Sequence, residues 1–88
     1  MKKKEEFSDV TVLVAQGRLH ISGLRNGRGF ATTRPWLKAA DIVFLLRRIQ
    51  ATTGLWAELI FVDWIHEEWP EFVDKVAQMY VWAQEATN

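Results

Sequence analysis

Residues 35–50 read PWLKAADIVFLLRRIQ, and the packing of this stretch decides the fold. At 100° per residue, Ala39, Ile42, Val43, Leu46 and Ile49 form one apolar stripe with helical spacing. Leu37, Ala40 and Phe44 form a second stripe, rotated well away from the first. A narrow strip with Asp41, Arg47 and Arg48 is left polar. Two apolar stripes predict a helix with neighbours on both sides, the middle layer of a small domain. Thr33-Arg34-Pro35 reads as its entry, because proline in the first turn lacks a donor that would be orphaned there anyway. Gly54 suits a left-handed stop.

Upstream, Asp9 to Ala15 is rich in β-branched residues and alternates as a strand. Gln16-Gly17 can close a two-residue hairpin, which sets Val14 opposite Leu19 and Val12 opposite Ile21. Asn26-Gly27 is the strongest turn signal in the chain, since a type I′ turn needs positive φ at both central positions. It sets Gly23 opposite Phe30, with a third strand over residues 28–32. The expectation is a three-stranded antiparallel meander, with Val10, Val12, Val14, Leu19, Ile21 and Phe30 facing inward. Residues 1–8 read as a flexible tail, and 9–88 as a single domain.

Downstream, residues 55–69 carry charges scattered around a helical wheel. Leu59-Ile60-Phe61-Val62 has strand composition, and Leu55 to Leu59 has helix composition. The reading leans to a helix, because Gly54 allows a short helix–helix turn. Pro70 opens a last helix, with Phe72, Val73, Val76, Met79, Tyr80 and Ala83 on its apolar face. Trp82 falls on the polar side. The fold class expected is α+β: a three-stranded antiparallel β-meander, then a central helix and one or two further C-terminal helices.

The totals bound the function. Eighty-eight residues build one small core. An apolar share of 49% with 25% charged residues is that of a globular protein. The absence of cysteine excludes disulfides, thiolate metal sites and thiol nucleophiles. No apolar run is long enough to span a bilayer, and the basic start has no apolar segment behind it. A cytoplasmic protein without membrane contact is the expectation. The zero net charge hides an asymmetry. Residues 1–50 hold ten Lys and Arg against four Asp and Glu, a net of +6. Residues 51–88 hold one against seven, a net of −6. The two halves either attract each other within the fold or meet charged partners.

No reaction constellation is present. His66-Glu67 lacks the second histidine of a zinc-protease motif, so Asp63, His66 and Glu67 do not make a metal signature. Gly27-Arg28-Gly29 lacks the third glycine of a dinucleotide loop. No cofactor and no catalytic residue is implied, and an enzyme is not expected.

Five tryptophans are a heavy load for so small an interior. Some must be exposed, and tryptophan is enriched at protein–protein hot spots. Trp64, Trp69 and Trp82, with the acidic Asp63, Glu67 and Glu68, are the candidate protein-binding residues. The leading expectation is a non-catalytic protein-binding module, an inhibitor or adaptor. Small anti-defence proteins of phages and mobile elements, including anti-CRISPR proteins, share this general profile. The alternative is a small DNA-binding regulator using Arg18, Arg25, Arg28, Arg34, Arg47 and Arg48 around the sheet and helix entry, with the sheet laid in the major groove. A third possibility is a homo-oligomer whose basic and acidic poles meet between chains.

Overall fold

The computed structural model describes residues 5–87. In chain order the elements are β1 (Phe7–Ala15), β2 (Arg18–Arg25), β3 (Arg28–Pro35), α1 (Ala39–Thr53), β4 (Glu58–Phe61), α2 (Asp63–Glu68) and α3 (Pro70–Thr87). The α+β class and the meander are as the sequence predicts. Val14 faces Leu19, Val12 faces Ile21, and Gly23 faces Phe30 in the antiparallel ladders. Asn26 and Gly27 both take positive φ, as their turn requires.

Three boundaries differ from expectation. β1 starts at Phe7, two residues early. Its ladder with β2 shifts register between Ser8 and Thr11, where Asp9 takes a φ of 52°. This bulge changes the phase of the strand. Phe7 therefore joins the core side, where its ring meets Phe30 edge-on at 6.0 Å. The Glu6 N–H donates to the Asn26 side-chain oxygen, and the Asn26 N–H donates back to the Glu6 carbonyl. The expected tail thus does not include Glu5 to Ser8, and its residues 1–4 lie outside the described ones. β3 runs to Pro35, so Thr33-Arg34-Pro35 is strand and not helix entry. The helix begins after Lys38, where the Asp41 carboxylate accepts the N–H groups of Leu37 and Lys38. These two bonds hold the Asp41 carboxyl below the usual carboxylate range. Gly54 ends the helix at φ 79°, as expected.

The lean to a helix over 55–69 is wrong in its first half and right in its second. Glu58–Phe61 is a strand, paired in parallel with β1, and α2 follows at once. The sheet order becomes β3-β2-β1-β4. β1 had a free edge, and Glu58–Phe61, with its apolar Leu59, Ile60 and Phe61, pairs with it, which outweighs local helix preference.

The two-stripe reading of α1 is also corrected. Its first stripe is buried, at Ala39, Ile42, Val43 and Leu46. In the second, Leu37 is 92% and Phe44 61% exposed. α1 is not a middle layer. It lies beside α3, and both join one core with Val10, Val12, Val14, Leu19, Ile21 and Phe61 of a single sheet face. Among the described residues no helix covers the other sheet face, where Leu13 and Thr11 are half-buried and Ile60, His20 and Ser22 are exposed.

Candidate functional site

Aromatic side chains meet where α2 turns into α3. α2 is too short to bury more than one side, and it buries Ile65. That leaves Trp64 on its outer surface and Trp69 at the junction. Pro70 then opens α3 at the first helical position, where its missing N–H does no harm. The Trp64 and Trp69 rings meet edge to face at 5.5 Å. From Trp69 the contacts run inward: Phe72 at 6.4 Å, then Trp36 stacked on Phe72 at 5.2 Å, with Phe61 edge-on to Phe72. His66 closes against Phe61 at 5.7 Å.

The inner end of this string is fixed. The Trp36 indole N–H donates to the Ala15 carbonyl at 2.7 Å, which ties the string to the β1–β2 hairpin. The outer end is open. Trp64 is 36% and Trp69 39% exposed. Each edge-to-face pair contributes roughly 0.5–1.5 kcal/mol beyond area burial, so the exposed pair is held rather than free to rotate. Glu68 and Glu71 flank Trp69, Pro70 and Phe72 around a shallow cleft of about 420 Å³. Asp63 and Glu67 are exposed on the same short helix.

The structure brings Trp64 and Trp69 into contact with Glu68 beside Trp69, and Asp63 and Glu67 share the short helix with Trp64. Trp82 does not join them. It lies late on α3, 60% exposed, outside the string. Sequence reasoning missed the supporting aromatics Trp36, Phe61 and Phe72. Their types hinted at a core, but their convergence depends on β4 placing Phe61 beside α3. Among the described residues, no group of three or more His, Cys, Asp or Glu could hold a metal ion.

The six arginines of the alternative reading are divided. Pleat alternation places Arg18 on the open sheet face with His20 and Ser22. Arg25, Arg28 and Arg34 fall in phase with Ile21 and Phe30, on the core side. Arg34 lines a groove with Arg48 of α1, and Arg47 lies on the same helix. A sheet face laid in a DNA groove would thus carry Arg18 alone of this set. The charge asymmetry becomes spatial as well. β3, with the basic residues, forms one edge of the sheet, and β4, which leads into acidic α2 and α3, forms the other. Among the described residues the one ion pair is Arg25 with Glu5, both from the basic half. No ion pair there joins the two halves.

Among the described residues no helix is long and apolar enough to cross a membrane. Comparison with protein-family models, with curated proteins and with solved structures found no match.

Proposed function

We propose that this chain is a non-catalytic protein-binding module, whose contact surface is built on Trp64 and Trp69 with Asp63, Glu67 and Glu68. One observation carries the reading: two tryptophan rings, each more than a third exposed, pack against each other at the open end of a string of aromatic contacts. Exposed indoles lose water-contact area on binding, and rings held in place lose little conformational freedom. The carboxylates around them favour a partner with basic groups at the rim of its pocket. An inhibitor or adaptor of the anti-defence kind carried by phages and mobile elements fits this size and surface. Trp82 belongs to a separate patch and is not required by the reading.

The test is capture from the source cell on immobilised protein, followed by titration of the purified partner. Trp64→Ala combined with Trp69→Ala is expected to weaken binding by about 100-fold or more, as hot-spot truncations do. Unchanged far-ultraviolet circular dichroism would show that the fold survives. A partner held equally by the double variant would overturn the proposal. The second reading, a small DNA-binding regulator, draws on the unpaired basic edge rather than on the sheet face. Undetectable binding to random duplex DNA at low salt would end it.

A further inference from the structure

The second open surface of the molecule is the β3 edge, and it is distinct from the tryptophan pair. β3 is an edge strand of eight residues, exposed throughout except at half-buried Phe30. Its two-residue loop closes on Arg25 and Arg28, and the antiparallel ladder alternates from that pair. Gly29, Ala31 and Thr33 therefore turn their N–H and C=O groups to the free edge. Long edge strands with unpaired backbone groups are templates for a further strand.

Two more features mark this edge. On its core side α1 does not reach over β3, which leaves a groove of about 450 Å³. Phe30, Leu45 and Phe44 supply apolar lining, and Arg34 and Arg48 supply charge. β2 and β3 together hold four arginines and no carboxylate. Arg28 and Arg34 have no ion pair among the described residues. Asp41 also lines the groove, but its carboxylate is occupied by the Leu37 and Lys38 N–H groups.

We infer that β3 docks an extended, acidic segment of a partner protein by antiparallel strand addition. The segment's carboxylates would lie beside Arg28 and Arg34, and its apolar side chains beside Phe30 and Thr32. A second copy is a poorer occupant. β3 against β3 would bring arginines together. β3 against β4, whose one carboxylate is Glu58, would be a head-to-tail contact that propagates into rings or filaments and matches only one of the two arginines. Charge complementarity therefore selects a different chain with acidic residues six apart on one face of a strand.

The probe is a palindromic seven-residue peptide, acetylated and amidated. It has glutamate at both ends, valine at the third and fifth positions, and threonine between. Run antiparallel to β3, it sets its three threonines directly opposite Gly29, Ala31 and Thr33. One control replaces the glutamates with lysine. Another carries N-methyl groups on the three threonines, which removes the donors that face β3 and leaves the side chains.

Calorimetric titration of the intact chain is expected to show binding of the glutamate peptide. N-methylation should weaken it by about tenfold or more. Saturation should slow amide exchange at Gly29, Ala31 and Thr33. The charge-swapped Arg28→Glu/Arg34→Glu variant should prefer the lysine peptide. The Trp64→Ala/Trp69→Ala variant should bind the glutamate peptide as the unaltered chain does, so this inference and the tryptophan surface fail or stand separately. Four results would each overturn strand addition of an acidic segment: no binding, equal binding of the N-methylated peptide, displacement of the peptide by duplex DNA with the same amides protected, or self-association through β3.

Discussion

A β-carbon on Gly23 would sit 3.1 Å from the Cα of Val10, 3.2 Å from the Ser8 carbonyl oxygen and 3.2 Å from a ring carbon of Phe30. Two of those neighbours are backbone atoms at the β1 bulge and cannot swing aside. Gly23→Ala is therefore expected to destabilise the domain by about 1–3 kcal/mol, the usual cost of overpacking, as read from urea unfolding. Tyr80 is the other residue on which much depends. Its hydroxyl donates to the Ala57 carbonyl just ahead of β4, and its ring meets Trp56 edge-on at 5.7 Å. Burial pushes its phenol up to about 12 from an ordinary 10.0. A phenol that keeps its proton longer in the folded state adds stability that is complete below pH 10 and is lost as pH rises from there through 12. Tyr80 is the one tyrosine in the chain, so its phenolate absorbance can be followed without overlap from another. That absorbance is expected to appear near pH 12 in the folded protein and near pH 10 in denaturant. Tyr80→Phe should cost about 1–2 kcal/mol by leaving the Ala57 carbonyl unpaired, and should remove its share of the alkaline fall in stability. An unchanged unfolding midpoint would contradict the bond.

Among the elements, β1 and β2 are each bonded on both sides, and β1 lies between β2 and β4. Its middle residues Val12 and Val14 are fully enclosed. Hydrogen exchange is expected to be slowest at the β1 amides from Val12 to Val14. It should be fastest within the sheet at Gly29, Ala31 and Thr33, which face the free edge. Equal protection on β1 and on those β3 amides would contradict the strand order. The meander was legible in the sequence because each of its turns is two residues long and fixes its own register. The last helix was legible because its apolar face repeats cleanly behind a proline. β4 was not, because four residues carry no period that separates strand from helix. Its identity came from a partner strand lying more than forty positions upstream. The bulge at Asp9 was hidden for a similar reason. Nothing in Phe7-Ser8-Asp9 announces it, and it serves to bring Phe7 against Phe30.

At the scale of the whole molecule, the sheet order separates charges that the sequence had separated by position. Basic groups collect towards β3, and acidic groups collect beyond β4. Like charges within each pole repel, and no ion pair among the described residues ties one pole to the other. Added salt screens this repulsion. The urea midpoint is therefore expected to rise modestly between low and physiological ionic strength, and a fall would mean that attraction between the poles dominates. The sequence by itself determined the local structure: hairpin registers, helix stops, the class of the fold, and the surplus of indole rings over interior space. Those features depend on neighbours a few residues away, or on a count. Tertiary structure decided which tryptophans share a surface, which sheet edge stays open and on which side the arginines lie. Each of those depends on how distant segments meet, above all on β4 choosing the far edge of β1, and backbone pairing between remote strands leaves no periodic trace in the chain that makes it.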